Sequence, residues 1–166
     1  MAYTLQATTK AIVSPSAAVT RGLGSFNYAP SVGKTITWTH GTAANQVTKF
    51  YDGSRTVAAS ANDDLDLSGG TLTDVEGATI AFTGVKSVYI ENTHATQTLT
   101  VGGGTNPFLM GLGGTTPTVD VPPGGYLHRE NPTAAGWPVA NAASDVLRVA
   151  NGAGTSATYK ISLMGI

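Results

Sequence analysis

Short runs in which apolar and polar residues alternate recur along the chain, and most of them are bounded by Gly, Pro, Asn or Asp. In Thr35–Thr39 the apolar residues Ile36 and Trp38 alternate with threonines, and in Ala157–Met164 apolar residues take alternate positions. A period of two is typical of a strand that is buried on one face. No segment of a dozen residues free of Gly and Pro has the period of an amphipathic helix. The pattern therefore predicts an all-β protein.

Several other segments satisfy the same criterion for a strand. The predicted strands are Gln46–Tyr51, Arg55–Ala59, Thr79–Phe82, Val85–Asn92, Thr96–Val101, Val119–Val121, Tyr126–Arg129 and Val146–Ala150. Between the first two lies Asp52–Ser54, and an Asp-Gly pair flanked by β-rich runs predicts a tight hairpin. Pro122–Gly125 follows another run, and its two prolines and two glycines predict a turn.

A weak internal repeat links two parts of the chain. Val88–Asn92 leads through a polar loop to Thr98–Val101, and Leu147–Asn151 leads through a small-residue loop to Thr158–Ile161. Each copy consists of a strand, an Asn at its end, a loop and a second strand. We predict two similar hairpins that pair with each other, because a solenoid would need several copies at a fixed period.

The length of 166 residues suits one domain, or one domain with a short arm. Many short strands joined by long Gly/Thr/Pro loops predict a β-sandwich or a jelly-roll-like fold over residues 31–166. Residues 1–30 differ in composition and are predicted to form an N-terminal arm that adds an edge strand or reaches a neighbouring molecule. An ordinary first strand followed by a long loop is the alternative.

Charge and cysteine content exclude several classes of function. Charged residues make up 11% of the chain and the formal net charge is -1, so no basic field is available to hold nucleic acid. There is no cysteine, which excludes disulfides and thiolate metal sites and is typical of synthesis in a reducing cytoplasm. We see neither a secretory signal in Met1–Gln6 nor an apolar run near the ~18 residues of a membrane span. We expect no nucleic-acid or membrane partner.

The polar residues form no recognisable catalytic or metal-binding motif. His40, His94 and His128 match no zinc spacing and are interpreted as surface or loop residues. No Gly-x-Ser-x-Gly elbow supports a serine nucleophile.

One acidic cluster occurs, at Asn62–Asp66. We interpret it as the solvated face of a strand, with a structural cation as the alternative, because the EF-hand order of ligands is missing. Asp66 could also join Asp74 and Glu76 as a carboxylate pair for glycoside hydrolysis, but so few aromatics are available to line a sugar subsite that this hypothesis is weaker.

Glycine and aromatic residues offer two further candidate sites. Gly102–Gly104 and Gly111–Gly114 lack the Lys-Ser/Thr of a phosphate loop and are predicted to be flexible loop tips. Trp38, Trp137 and the six tyrosines are dispersed, which favours core packing over a stacking platform. We therefore predict no enzyme, no catalytic or metal-binding residue and no cofactor.

About the last hundred residues resemble the capsid decoration, or cement, proteins of tailed bacteriophages. The segments that carry the resemblance are strand-and-turn patterns: Asp64–Leu67, Leu72–Asp74, Thr79–Phe82, Val85–Thr93, Thr98–Gly103, Pro122–Gly125 and the closing Leu147–Ile166. The resemblance implies a β-sandwich or jelly-roll-like fold and a trimer on the outer surface of the capsid. It carries over no site residue, and the N-terminal part is unmatched.

We accordingly expect a virion structural protein that binds the outer surface of the assembled phage head and stabilises it. Its partners are then the major capsid protein and further copies of itself, as a homotrimer, and its location is the capsid surface after synthesis in the bacterial host cytoplasm. A receptor- or glycan-binding module of a tail spike or adhesin is the alternative.

Overall fold

Residues 4–22 and 24–166 are described by the computed structural model, and these residues contain strands, turns and loops but no helix. This confirms the all-β prediction. The fourteen strands are β1 Ala7–Val13, β2 Ala17–Arg21, β3 Gly24–Tyr28, β4 Val32–His40, β5 Gln46–Val47, β6 Lys49–Val57, β7 Asn62–Asp66, β8 Gly84–Asn92, β9 Leu99–Gly102, β10 Thr118–Val121, β11 Tyr126–Glu130, β12 Trp137–Pro138, β13 Val146–Asn151 and β14 Ala157–Gly165.

Two antiparallel sheets form a β-sandwich. One sheet has the order β10-β9-β13-β7, and the other has the order β11-β8-β14-β6 with the short β12 also paired to β8. Their facing side chains form the main core, in which Leu65, Leu99 and Leu147 of the first sheet and Ile90 and Leu163 of the second are fully buried or nearly so. The predicted sandwich is therefore present.

A third layer covers part of the outer face of the five-stranded sheet. It is the sheet β1-β4-β5, and it shares a second apolar cluster with that face, formed by Ile36, Trp38, Val47 and Met164. The predicted alternation in β4 is confirmed, because Ile36 and Trp38 are buried and the threonines beside them are exposed. Within this layer, the indole Nε1 of Trp38 in β4 donates a hydrogen bond to Thr9 Oγ1 in β1 at 3.0 Å.

The predicted hairpin at Asp52–Ser54 is wrong. β6 runs straight through Asp52 and Gly53 and pairs with β14 in nine consecutive register positions. The φ angle of Gly53 is not positive, whereas a type I′ turn needs positive φ at its central residues. A long ladder with a central strand therefore overrides the local turn preference.

The predicted strand Thr79–Phe82 is also wrong. Only Thr79 makes an isolated bridge, with Thr73. The backbone N–H groups of Ile80 and Phe82 instead donate to Leu72 O and Leu67 O, both at 2.8 Å. Ile80 and Phe82 still bury their side chains in the main core, so the apolar residues mark a packed loop.

The internal repeat forms two arches between the sheets, which corrects the predicted hairpins. β8 and β9 lie in opposite sheets, and so do β13 and β14. The copies do pair with each other, as predicted, since β8 lies beside β14 and β9 lies beside β13. A strand that leaves one sheet for the other loses ladder partners for its carbonyl groups, and these need other donors.

An asparagine supplies those donors at each arch. Asn92 Nδ2 donates to Gln97 O at 2.7 Å and Val121 O at 2.9 Å. Asn151 Nδ2 lies 3.2, 3.1 and 2.9 Å from the carbonyl oxygens of Val57, Ala58 and Thr155. Both asparagines are buried, so the Asn that ends each strand in the repeat has a structural purpose.

The predicted turn at Pro122–Gly125 is confirmed. The N–H of Gly125 donates to Pro122 O at 2.9 Å, and Gly124 has a φ of 68°, a conformation that favours glycine. The described residues of 1–30 are joined to the rest by β1, which pairs with β4 over seven register positions from Ala7↔Trp38 to Val13↔Val32.

Candidate functional sites

A two-stranded ribbon projects from the third layer. It consists of the outer half of the β1–β4 pair, residues 10–13 and 32–35, followed by the β2–β3 hairpin. Ser14 Oγ and Ser31 Oγ lie 2.9 Å apart where one part joins the other. Every described residue of β3 is exposed, and β4 is exposed from Val32 to Thr35. At about 3.3 Å per residue, the strands of the hairpin are roughly 15 Å long.

The ribbon concentrates the exposed apolar side chains of the molecule. Seven large apolar side chains are exposed among residues 4–22 and 24–166, and five of them belong to the ribbon: Ile12, Val13, Phe26, Tyr28 and Val32. Val13 and Val32 are cross-strand partners and are 69% and 74% exposed. In the hairpin, Ala17 pairs with Tyr28 and Val19 with Phe26, so these four side chains share one face.

Neither buried apolar cluster of the described chain includes a side chain of the hairpin. An isolated two-stranded ribbon is only marginally stable in water, and exposed apolar patches of this kind mark interaction surfaces. The ribbon is therefore a candidate contact surface.

A second candidate lies where the third layer leaves the five-stranded sheet uncovered. There β1 and the outer faces of β8, β11 and β14 enclose an open groove of about 760 Å³, which we call the aromatic groove. Its lining is Thr9, Lys10, Ala11, Ser87, Tyr89, Tyr126, Leu127, His128, Ser162 and Met164. An adjoining depression of about 370 Å³ shares Tyr89 and Ser162 and extends the groove towards β6.

Aromatic rings dominate one wall of the groove. The rings of Tyr89 and Tyr126 are stacked, with centroids 5.8 Å apart, and the His128 ring meets Tyr89 edge-on at 6.0 Å. Tyr126 is 67% exposed. The Tyr89 hydroxyl lies 3.3 Å from Glu91 Oε2, and its pKa is raised by burial and by the nearby Glu91 carboxylate. The arrangement offers a flat apolar surface edged by polar groups.

Glu130 lies next to His128 at the side of the groove. Tyr126, His128 and Glu130 occupy alternate positions of β11 and hence one face. Glu130 Oε1 lies 3.4 Å from His128 Nε2, is buried, and makes no hydrogen bond. His128 was predicted to be a surface or loop residue, and the groove around it was not predicted; the alternation in β11 is the only local sequence signal for it.

The acidic cluster divides among separate partners. Asp63 accepts two hydrogen bonds from the Arg55 guanidinium, at 2.6 and 2.8 Å, and one from the Tyr159 hydroxyl at 2.8 Å. Burial acts to raise the pKa of Asp63, but these hydrogen bonds outweigh it and lower the pKa below the ordinary value. Burial and the contact with Asp63 raise the pKa of Tyr159.

The other two aspartates of the cluster are also engaged. Asp64 forms a two-point ion pair with Arg148 at 2.6 and 2.7 Å, while Asp66 Oδ1 accepts from the N–H and the hydroxyl of Ser68, both at 2.8 Å. The predicted strand is confirmed as β7. The prediction of solvated carboxylates is right for Asp64, whose side chain stays 43% exposed beside Arg148, but wrong for Asp63, which is 16% exposed and paired with Arg55 of the opposite sheet.

Asp74, a member of the hypothetical carboxylate pair, is engaged in a turn. Asp74 Oδ1 accepts the N–H groups of Glu76 and Ala78, both at 2.9 Å, and so closes its own loop. Within the described ranges, no three His, Asp or Glu side chains come together in a group that could hold a metal ion.

The other two histidines accept hydrogen bonds from backbone N–H groups. Nδ1 of His94 accepts the N–H groups of Thr96 and Gln97 at 3.2 and 2.9 Å, and Nδ1 of His40 accepts the N–H of Leu5 at 3.4 Å. His40 is exposed at the end of β4 and His94 lies in the loop after β8, as the sequence indicated.

The prediction of flexible glycine tips is partly wrong. Gly102 and Gly103 are buried at the end of β9. A Cβ on Gly104 would lie 2.7 Å from the Arg148 guanidinium carbon, and one on Gly111 would lie 2.5 Å from Trp137 Nε1. Only Gly113 and Gly114 face open space, so most of these glycines permit close packing.

The aromatic residues divide between core and surface. Trp38 and Tyr159 are fully buried and Tyr51 is 8% exposed, which confirms core packing for these three. Trp137 is half-buried against the main core. Tyr89 and Tyr126 line the groove and Tyr28 lies on the ribbon, contrary to the core prediction, whereas Tyr3 lies outside the described residues.

A buried lysine joins the third layer to the sandwich. Lys86 lies at a bulge in β8 and is fully buried; its ammonium group donates to Gln46 O at 2.7 Å and Ala43 O at 2.9 Å. Burial lowers the pKa of Lys86. Because the third layer forms one wall of the groove, this lysine helps to hold the groove in shape.

Comparison with protein-family models, curated proteins and solved structures gives no match to this chain. Within the described residues there is no helix with the length and apolar character needed to cross a membrane. The ribbon and the aromatic groove are therefore the features of the protein that indicate a function.

Proposed function

We propose that the protein is a capsid decoration protein, which binds the outer surface of an assembled bacteriophage head and stabilises it. The observation that carries the proposal is the exposed apolar face of the ribbon, on a sandwich whose acidic cluster, Asp63, Asp64 and Asp66, is engaged in ion pairs and a turn. Such a body is suited to making contacts rather than to turnover.

The exposed area sets the strength of one contact. Ile12, Val13, Tyr28 and Val32 are 54%, 69%, 62% and 74% exposed. At roughly 1.5–3 kcal/mol for full burial of a large apolar side chain, covering the exposed parts gains about 4–8 kcal/mol. This is no larger than the ~4–15 kcal/mol that association costs. One ribbon therefore binds weakly by itself.

Several ribbons acting together bind much more tightly, because each later contact forms at a high effective concentration. A homotrimer seated on the lattice would place three ribbons against neighbouring copies of the major capsid protein. It would bind the assembled shell better than free subunits, and preferential binding stabilises the bound state. The resemblance to decoration proteins supports the same arrangement.

The test is co-sedimentation of the purified chain with undecorated heads, assembled from the capsid protein encoded in the same genome. We expect saturable binding and a higher temperature of head disruption. The double variant Val13→Thr/Val32→Thr keeps the β-branched shape but removes apolar surface from the ribbon, and it should bind at least tenfold more weakly.

Val75→Thr is the matched control, since Val75 is 72% exposed and lies outside the ribbon. It should bind as the unmodified chain does. Failure of the unmodified chain to bind heads would refute the proposed function. Equal binding by the double variant would refute the ribbon as the contact.

A further inference from the structure

We propose that the aromatic groove binds a neutral, extended saccharide. The groove borders the ribbon at Lys10 and Ala11 of β1, but its aromatic wall lies on the sandwich, and the inference goes beyond head decoration. The juxtaposition that carries the inference is an exposed stack of two tyrosine rings next to hydroxyl, imidazole and carboxylate groups in one open groove.

The stacked rings provide the apolar part of the site. One face of a pyranose ring carries axial C–H groups, and these pack against an aromatic ring. Tyr126 presents such a ring, 67% exposed and supported from behind by Tyr89 at 5.8 Å. Because Tyr89 lies on the central strand β8, the platform is fixed before a ligand arrives, which reduces the entropy lost on binding.

The polar part of the site is suited to sugar hydroxyl groups. Ser87 and Ser162 bring hydroxyls to the floor, and His128 brings an imidazole whose Nε2 faces Glu130 Oε1 at 3.4 Å. Glu91 Oε2 lies beside the Tyr89 hydroxyl at 3.3 Å. A polyol can both donate to such acceptors and accept from such donors, whereas a purely apolar ligand would leave them unpaired.

The local charge favours a neutral ligand over nucleic acid. Stacked tyrosines also bind single-stranded bases, but that mode needs a basic groove along the phosphates. Here Lys10 and Lys160 are opposed by Glu91 and Asp52, which line or border the same surface. The nearly balanced charge gives a phosphate chain little attraction.

The shape of the surface indicates more than one sugar unit. The groove of about 760 Å³ and the adjoining depression of about 370 Å³ meet at Tyr89 and Ser162. Two connected concavities on one sheet face suit an oligosaccharide that lies across the strands.

The experiment is saturation-transfer NMR and calorimetry with maltotriose, cellotriose, chitotriose and a galactose trisaccharide, each up to about 10 mM, well above the roughly millimolar affinity expected for one stacking contact. Single-stranded oligo(dT) serves as the comparison ligand. We expect at least one trisaccharide to bind saturably. Tyr126→Ala should weaken it about tenfold or more, while Tyr126→Phe, which keeps the ring, should retain most of the affinity.

Tyr28→Ala is the matched control for sugar binding, because Tyr28 is a similarly exposed tyrosine, 62%, on the ribbon. It should leave sugar affinity unchanged. The inference would be overturned if none of the trisaccharides binds saturably, if only oligo(dT) binds, or if Tyr126→Ala leaves sugar binding unchanged. Head binding is measured in parallel with Tyr126→Ala, which should not affect it, so failure of one proposal is distinguishable from failure of the other.

Discussion

Asn92 and Asn151, the two arch asparagines, give the sharpest stability prediction. They occupy equivalent positions where the chain crosses between the sheets, but they differ in the number of hydrogen bonds that each makes. The perturbations are Asn92→Ala and Asn151→Ala. Each removes a buried side-chain amide that donates to carbonyl oxygens at distances of 2.7–3.2 Å. The control is Asn141→Ala, since Asn141 is exposed.

The magnitude follows from the number of hydrogen bonds. An amide Nδ2 has two hydrogens, so each substitution removes two donated bonds at about 1 kcal/mol each and leaves carbonyl groups without a donor. The expected loss is about 2–4 kcal/mol for Asn151→Ala. In Asn92 the Oδ1 atom also accepts the N–H of His94 at 3.0 Å, whereas Oδ1 of Asn151 is buried without a partner. Asn92→Ala should therefore be the more damaging change.

The assay is urea unfolding, followed by circular dichroism and by tryptophan fluorescence. A loss of about 2–4 kcal/mol corresponds to a fall in Tm of roughly 5–15 °C for a chain of this size. Asn141→Ala should stay within about 0.5 kcal/mol of the unmodified protein. A loss below about 1 kcal/mol for both arch variants, or a larger loss for Asn151→Ala, would refute the reasoning.

Three further predictions concern the charged groups and the close packing. Asp63→Asn weakens the contact with Arg55 and should reduce the free energy of unfolding at neutral pH by about 1–2 kcal/mol, after allowance for solvent screening. Because the pKa of Asp63 is lowered in the folded protein, this contribution is complete above pH 3.8 and is lost as the pH falls through the lowered value. The unfolding curves of the two proteins should therefore converge in acid. Lys86→Met keeps the apolar stem but removes the donors to the β4–β5 loop, so hydrogen exchange of that loop should quicken while the main core stays protected; unchanged exchange would contradict this. Gly84→Ala forces a Cβ against Ala135 O and should cost about 1–3 kcal/mol in urea unfolding, whereas Gly152→Ala, with open space around it, should be neutral; equal effects would contradict the steric argument.

The sites were less predictable than the strands. His128 and Tyr126 were recognisable as residues of one strand face, but the groove forms only where β1 lies beside that face. The pairing of Asp63 with Arg55 joins strands that are neighbours only at the edge of the sandwich. Most of the apolar ribbon lies in residues 1–30, which were predicted to form an arm, but Val32 lies outside them, and the exposure of the ribbon depends on where the second apolar cluster ends.

Features that depend on neighbours along the chain could be predicted from the residue pattern alone. Alternation defined β4 and β14, and the chemistry of Pro122–Gly125 defined a turn, because strand faces and tight turns follow from residues a few positions apart. The tertiary structure decided what depends on distant residues. It drew Asp52–Gly53 into a ladder with β14 and converted the repeated Asn motif from hairpins into arches. The physical reason is that pairing and burial energies from distant strands exceed the small local preferences that a sequence displays.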